Sequence, residues 1–151
     1  MSEKKKSNKI KNVFIDGPIS PEKIATSIAH HQVKTQIGAH DIFLGQVRAD
    51  CIDGKIVSAI DYSAHEEMAN QAFHDIREDA FKKFDLSCMH IYHSKGIVRT
   101  GELCLFVFTS SAHRKDAMEA CQFLVEEIKV KVPVFGKEIF EDGTHVWKEN
   151  K

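Results

Sequence analysis

Residues 103–109 read Leu-Cys-Leu-Phe-Val-Phe-Thr, an almost unbroken apolar run of residues that favour β-strands. A strand of this kind is typical of the middle of a sheet that is covered on both faces. In the segment that follows, these apolar residues recur at helical spacing: Ala117, Ala120, Cys121, Leu124 and Ile128. The sequence therefore predicts a central strand followed at once by a helix with an inward stripe, which Pro133 ends.

Two more helices are predicted upstream of this unit. Ser20 is a suitable N-cap, and Pro21 a suitable first residue, for a helix that reaches about His31 after a short strand at 10–15. Between residues 66 and 84, apolar side chains recur at steps of three and four positions. This spacing indicates one buried face of a long helix.

The remaining apolar segments predict strands. Asp53-Gly54 is a turn signal between an apolar run at 38–48 and an alternating run at 55–62, so we expect these two runs to pair as a hairpin. Further strands are predicted at 86–92, 135–140 and 144–147. The order is βα, then ββαββα, then ββ, and helices segregated on a largely antiparallel sheet define an α+β fold.

Composition predicts one domain behind a charged leader. The chain has 151 residues, of which 42% are hydrophobic, enough for one core over residues 12–151. Residues 1–11 hold five lysines and one glutamate, a charge of +4, so the net charge of −1 leaves −5 for the rest. The alternative of a nucleic-acid arm is disfavoured because an acidic body offers no extended surface for phosphates. We expect a disordered, solvated leader and no nucleic-acid partner.

The chain is expected to be cytoplasmic. No apolar run approaches the roughly 18 residues of a membrane span, and the N-terminus lacks the apolar core of a secretion signal. The four cysteines form no Cys-x-x-Cys pair, and three lie in apolar runs, so they are interpreted as reduced core residues: Cys51, Cys88, Cys104 and Cys121. A thiol nucleophile is the disfavoured alternative, because none has a neighbouring histidine or helix N-terminus.

Cations lie at both ends of the helix that follows residue 109. Hydroxyl residues before a helix satisfy its free N–H groups, and His113 and Arg114 in its first turn favour a bound phosphate or carboxylate. Lys129 and Lys137 lie at the other end. Arg48 ends the predicted strand at 38–48, where an arginine is more often a surface ion-pair partner than a ligand contact. The pattern predicts an anionic or phosphorylated ligand.

Four motifs follow one another along the chain: Gly38-Ala39…Phe43-x-Gly45-x-Val47-Arg48, His93-x-x-Gly96…Gly101-Glu102, Ser111-Ala112-His113-Arg114…Ala120, and Ile128-Lys129-x-x-x-Pro133…Lys137-Glu138 followed by Gly143…Trp147. In this order they resemble the large, catalytic subunit of molybdopterin synthase, and the resemblance runs from about Ile10 to Trp147. The resemblance implies an α/β-hammerhead-like fold and a homodimer within a heterotetramer. Each large subunit would receive the C-terminal Gly-Gly thiocarboxylate of a small ubiquitin-like sulfur-carrier subunit.

The resemblance also implies a sulfurtransferase of molybdenum cofactor biosynthesis, which converts the pterin phosphate precursor Z (cyclic pyranopterin monophosphate) into molybdopterin. Because the thiocarboxylate sulfur arrives nucleophilic, the large subunit has only to hold two anions together and manage protons. No bound cofactor and no metal are expected. By resemblance, Arg48, His113 and Arg114 would bind the substrate. Lys129 would also contact it, as the principal catalytic residue beside the carrier's terminal glycine.

Two positions depart from the family pattern. The family usually has Pro-x-Trp-Lys-Lys/Arg-Glu, whereas residues 133–138 are Pro-Val-Phe-Gly-Lys-Glu, so Gly136 replaces the first lysine. Lys137 is the candidate for the second catalytic and substrate-binding residue. Flexibility at Gly136 would favour that role, whereas on a regular strand a shift of one residue turns a side chain to the opposite face. Ser94 follows His93 where the family often has arginine, so no substrate role is carried over to it.

Helix geometry separates the two groups of cations. His113 and Lys129 are sixteen positions apart, about 24 Å along a straight helix, which is farther than both side chains and a pterin comfortably span. We therefore expect His113 and Arg114 of one subunit to serve the site that contains Lys129 of the other. The alternative function is a non-catalytic α+β module that senses a phosphorylated metabolite through His113 and Arg114.

The remaining candidates are given structural roles. His90 and His93 have a spacing seen in metal sites, but on a strand they face opposite sides, and no further ligands complete a set. His30 and His31 end a predicted helix, where imidazoles interact favourably with the helix dipole and cap the last turn. Trp147 is interpreted as a packing anchor near the C-terminus.

Overall fold

The structure is a computed structural model that describes residues 10–148. Its elements are β1 (Phe14–Asp16), α1 (Pro21–His31), β2 (Ala39–Gln46), β3 (Cys51–Ile52), β4 (Lys55–Ala64), α2 (Glu66–Lys83), β5 (Cys88–Arg99), β6 (Leu103–Ser111), α3 (Arg114–Lys131), β7 (Val134–Phe140) and β8 (His145–Trp147). Residues 1–9, most of the predicted leader, lie outside the described part, so the division into a leader and a domain over 12–151 stays a prediction.

The strands form one sheet in the order β2-β6-β5-β4-β7-β8, and all of these neighbours are antiparallel. Strand β1 adds to β5 in parallel, and the two-residue β3 pairs with β4. Three helices pack on this mostly antiparallel sheet, which confirms the predicted α+β class. No helix within residues 10–148 has the length and apolar character needed to cross a membrane.

The predicted central strand, β6, lies between β2 and β5 and is buried from Cys104 to Ser111. Its side chains alternate between two apolar clusters. Leu105 and Val107 pack in the larger cluster with residues of α2 and α3, whereas Phe106 and Phe108 pack with Ile19 and with side chains next to α1. Coverage on both faces explains why no polar residue interrupts the run from 103 to 108.

The predicted hairpin between the runs at 38–48 and 55–62 is wrong. Asp53 and Gly54 do form a turn with positive φ values of 52° and 77°, but it joins β3 to β4. Strand β2 pairs along its length with β6, and β4 pairs with β5 and β7. The turn is a local property of the sequence, whereas the partner of β2 is set by burial against the distant central strand.

Gly38 brings the start of β2 against the connection between β6 and α3. Its N–H donates to the carbonyl of Ser111 at 3.0 Å, and a Cβ at this position would lie 2.2 Å from the carbonyl oxygen of Ala112. Only a residue without a side chain fits there. This close approach of the two backbone segments positions the start of α3.

Helix α3 is fastened to β6 by hydroxyl groups at its N-terminal end. The Ser111 hydroxyl accepts a hydrogen bond from the Ala117 N–H at 3.0 Å and donates to the His113 carbonyl. The Thr109 hydroxyl donates to the Ala117 carbonyl at 2.7 Å. The predicted inward stripe is buried, and the helix ends immediately before Pro133 as predicted. Because α3 runs back along the sheet, its two ends lie at opposite ends of β6.

Three histidines surround Phe108 on the α1 side of the sheet. Nδ1 of His31 donates to the Ser27 carbonyl at 2.7 Å, so His31 does bond the last turn of α1 as expected, and its Nε2 lies 3.0 Å from Nε2 of His90. Nδ1 of His40 lies 2.7 Å from the Ser110 hydroxyl, and burial lowers the pKa of His40. This cluster joins the end of α1 to the sheet.

Burial lowers the pKa of His90 to about 4, and the charges of Lys11, His31, Arg77 and Lys34 lower it further. In the folded protein His90 is therefore neutral at pH 7. Its hydrogen bond to His31 needs one ring nitrogen to accept, so protonation of both rings breaks the contact.

Three of the four cysteines are buried and all four are unpaired, which confirms reduced core residues at positions 88, 104 and 121. Cys51 is exposed, so its interpretation as a core residue is wrong. It lies in the two-residue strand β3, beside a turn, where one side of the chain faces solvent.

Acidification is expected to destabilise the fold through His90. Because the pKa of His90 is about 4 in the folded chain and ordinarily 6.5, its contribution is complete above pH 6.5 and is lost as the pH falls toward 4. With discount for partial exposure, His90→Gln should remove about 1–2 kcal/mol of the pH-dependent change in unfolding free energy. Urea unfolding at several pH values measures this. The exposed His30→Gln variant is the control, and equal slopes for the two variants contradict the prediction.

Candidate functional site

A cavity of about 340 Å³ lies at the C-terminal end of α3, where β4, β5, β6 and β7 come together. We call it the Lys129 cavity. It is lined by Tyr62, His93, Cys104, Leu105, Ile128, Lys129, Val132, Pro133, Val134, Phe135, Gly136, Trp147 and Lys148. Most of the lining is apolar, and Lys129, near the last turn of α3, is exposed. The cavity therefore places a cation beside apolar walls, which suits an anionic group.

His93 lies at the buried side of the Lys129 cavity, 7% exposed, with its ring packed against Phe14, Phe73 and Tyr62. Its Nδ1 lies 2.7 Å from the carbonyl oxygen of Ser94, an acceptor, so Nδ1 carries the hydrogen. Burial lowers the pKa of His93 to about 4. The hydrogen bond to Ser94 raises this pKa, whereas the positive charge of Lys129 lowers it. At pH 7 the ring is neutral, and its Nε2 is an acceptor.

Tyr62 and Cys104 complete the polar part of the cavity. Burial raises the pKa of the Tyr62 phenol, and the hydrogen-bonded Cys104 thiol and the Glu138 carboxylate raise it further. The phenol therefore stays neutral, as His93 does. The charge that an entering ligand meets in this part of the cavity comes from lysine.

A second cavity, of about 440 Å³, lies at the N-terminal end of α3 and is lined by Gly38, Ala39, Ala112, His113, Arg114 and Lys115. We call it the His113 cavity. His113 and Arg114 are exposed at the free N–H groups of the helix, as the sequence predicts for an anion site. Arg114 and Lys129 are fifteen residues apart on α3, about 22 Å. One chain brings His113 and Arg114 together but does not bring them to Lys129.

Arg48 lines neither cavity. Its side chain is 74% exposed and forms an ion pair with Asp50 at 3.2 Å. It follows the end of β2 that lies toward the Lys129 cavity, because a Cβ on Gly45 would be 3.4 Å from the sulfur of Cys104. The arginine therefore lies at the end of the sheet that holds the Lys129 cavity. Its ion pair with Asp50 is the usual role of an exposed arginine.

Lys137 is on the opposite face of β7 from Gly136. Gly136 pairs with Tyr62, which lines the Lys129 cavity, whereas Lys137 pairs with Asp61 and with Trp147. Nζ of Lys137 lies 6.0 Å from the centre of the Trp147 ring. Lys137 does not line the cavity, although Trp147 beside it does.

The sequence indicated no site role for several residues that line the Lys129 cavity, among them Tyr62, Cys104, Trp147 and Lys148. His93 belongs to one of the family motifs and was otherwise considered as half of a metal pair with His90. The two do face opposite sides, His90 toward His31 and His93 into the cavity. Within residues 10–148, no three potential ligands are placed to hold a metal. The packing role expected for Trp147 is wrong, because its side chain is 58% exposed on the edge strand β8.

The family model and the relatives that this chain resembles point to the same family. A family model described as MoaE protein matches residues 14–131. The molybdopterin synthase catalytic subunit of Oryza sativa subsp. indica is 39% identical over 76% of this chain and 58% of the rice protein. That of Thermoplasma volcanium is 37% identical over 73% of this chain and 80% of that protein. The chain thus spans little more than half the length of the rice relative.

Solved structures share the fold. Molybdopterin synthase from Staphylococcus aureus superposes with a TM-score of 0.78 at 27% identity, covering 93% of this chain and 99% of that chain. A complex of subunits 1 and 2 of the molybdopterin-converting factor from Helicobacter pylori gives a TM-score of 0.77 at 17% identity, covering 91% and 90% of the two chains. At the lower identity the likeness concerns the fold alone.

Removing the charge of Lys129 is expected to change the titration of His93. In Lys129→Ala, the pKa of His93 should rise above about 4, because a nearby positive charge disfavours the protonated ring, and stay below 6.5, because burial remains the larger cause. NMR of the His93 ring against pH measures this. Lys131→Ala is the control, since Lys131 is paired with Glu127 at 2.6 Å. An unchanged His93 in Lys129→Ala contradicts the assigned geometry.

Proposed function

This chain belongs to the MoaE protein family, and we propose that it is the catalytic subunit of a molybdopterin synthase. In this proposal it is a sulfurtransferase that moves sulfur from a thiocarboxylated carrier to precursor Z and so forms molybdopterin. The names of its relatives in rice and Thermoplasma support the activity. The proposal also includes precursor Z as the substrate, a thiocarboxylated carrier as the sulfur donor and a cytoplasmic location.

The observation that carries the proposal is the position of Lys129. It is an exposed cation at the edge of a cavity whose other walls are largely apolar, and its polar neighbours His93 and Tyr62 are neutral at pH 7. A thiocarboxylate brings its own nucleophilic sulfur, so the protein has to supply positive charge and orientation. Lys129 supplies both beside the reacting groups. No thiol of the chain needs to take part.

The proposed partner is a small sulfur-carrier subunit. Its C-terminal Gly-Gly would enter the Lys129 cavity, because a chain of glycines is narrow enough for apolar walls and ends in an anion that Lys129 attracts. The molybdopterin-converting factor from Helicobacter pylori is a complex of two subunits, which agrees with such an arrangement. We propose that two copies of this chain assemble with two carrier subunits into a heterotetramer.

The substrate would be held by both chains of a homodimer. His113 and Arg114 form an anion site at the N-terminal end of α3, about 22 Å from Lys129 of the same chain. In the proposal, this pair binds the phosphate of a pterin in the Lys129 cavity of the other subunit, where Arg48 also contributes. Lys137 is proposed to act from the outer face of β7, beside Trp147.

Reconstitution tests the activity. Incubation of the protein with precursor Z and a thiocarboxylated carrier is expected to yield molybdopterin, and Lys129→Ala should lower turnover by about a hundredfold or more, as for loss of a residue that stabilises developing charge. Lys137→Ala run beside it measures the role of Lys137. Lys131→Ala, whose lysine is ion-paired on the surface, should keep activity. Binding of precursor Z without conversion would instead favour a non-catalytic sensor.

A mixed dimer tests the shared site. With Lys129→Ala on one subunit and His113→Ala on the other, both lesions fall in one shared site, so about half of the activity should remain. With both changes on one subunit and a wild-type partner, each shared site carries one lesion, and activity should fall well below half. Turnover of purified heterodimers distinguishes these cases. The reverse order of activities contradicts sharing.

A further inference from the structure

Lys148 follows the last residue of β8 and lines the Lys129 cavity. Its N–H donates to the carbonyl of Gly136 at 2.7 Å, which continues the β7–β8 ladder one position beyond the pair of Lys137 with Trp147. In that register Lys148 stands directly opposite Gly136, so their side-chain positions share one face of the sheet. Lys137 is on the other face.

The same face carries Tyr62, since Gly136 is also the partner of Tyr62 on β4. Tyr62, position 136 and Lys148 therefore form a row across three neighbouring strands, and all three line the cavity. The middle position of the row has no side chain. Position 136 contributes only backbone between the phenol and the lysine.

The absence of a side chain at 136 makes room for the lysine stem. A Cβ built on Gly136 would lie 3.6 Å from both Cβ and Cδ of Lys148, so the stem of Lys148 runs over the glycine. Such a Cβ would also lie 3.1 Å from Cγ2 of Ile60, which belongs to the apolar core. Lys148 thus occupies the space into which a long side chain from position 136 would extend.

Charges around Lys148 favour an external anion as its partner. The ion pairs described for residues 10–148 do not include Lys148, and Tyr62 in its row is a neutral phenol. The Glu138 carboxylate, two positions from Gly136 on β7, acts on Tyr62 but is in none of those ion pairs either. Lys129 is the other cation in the lining. A cavity with two lysines and largely apolar walls binds anionic groups at two points.

We propose that Lys148 is a second anion-binding residue of the Lys129 cavity and supplies, from β8, the positive charge that Gly136 leaves absent from β7. This inference rests on the proposed function, which requires two anionic groups to be held together. The anion is either the carboxyl end of the carrier tail or the phosphate of the substrate. Both present oxygen or sulfur atoms that accept from an ammonium group.

Trp147 provides the readout for binding, because it is the single tryptophan of the chain and lines the cavity. Its fluorescence is titrated with a peptide ending in Gly-Gly and, separately, with inorganic phosphate. Lys148→Ala should weaken binding of at least one probe by about tenfold, the effect expected for loss of one charge-assisted hydrogen bond. Weaker peptide binding identifies the carrier tail as the anion, and weaker phosphate binding identifies the substrate.

Relocation of the charge separates binding from folding. Lys148→Arg should retain affinity, and Gly136→Lys in the Lys148→Ala background should restore it, since a lysine at 136 enters the same space once Ile60 shifts by a few tenths of an ångström. Lys131→Ala is the matched control and should bind both probes normally. The proposal is overturned if Lys148→Ala binds both probes like the wild type, or if neither rescue variant improves on it.

Turnover distinguishes failure of this inference from failure of the proposed function. If the wild-type protein forms no molybdopterin from precursor Z and a thiocarboxylated carrier, the proposed function is wrong, whereas the fluorescence titrations still test Lys148. If the wild type is active, Lys148→Ala should raise KM for the substrate or the carrier more than it lowers kcat. Wild-type values of both constants overturn the role of Lys148 alone.

Discussion

The attachment of α3 to β6 is the constraint on which the rest of the structure depends. Hydroxyl groups of Thr109 and Ser111 bond Ala117 near the start of the helix, and a buried stripe keeps its full length on the central strand. A straight helix of 18 residues is about 27 Å long. The two groups of cations therefore stand at opposite ends of the sheet, and in the proposed function a complete site needs two chains.

Burial determines which side chains of the Lys129 cavity carry charge. His93 and Tyr62 are titratable, but removal from water keeps both neutral at pH 7, with His93 as an acceptor and Tyr62 as an intact phenol. Lysines near the surface of the cavity supply the positive charge. In the proposed function, this division places an attractive charge where an anion would enter. Uncharged hydrogen-bonding groups lie where the anion would be buried, so no ionised side chain there has to be removed from water.

Most of the fold could be predicted from the sequence, because its signals are local. Helical spacing, the Ser20-Pro21 cap and the apolar run of β6 each act within one element. The pairing of β2 was predicted wrongly because it depends on burial against a strand some sixty residues away. For the site, the spacing along α3 separated Lys129 from His113, as the structure does. The approach of Tyr62, Cys104 and Lys148 to Lys129 depends on the register of distant strands, which no local pattern encodes.

The contact between Gly38 and Ala112 links two parts of the chain that are distant in sequence. Gly38 immediately precedes the edge strand β2, and the carbonyl oxygen of Ala112 leaves no room for a methyl group there. Since Gly38 also borders the His113 cavity, a bulkier residue would disturb the backbone contact and the lining of that cavity together.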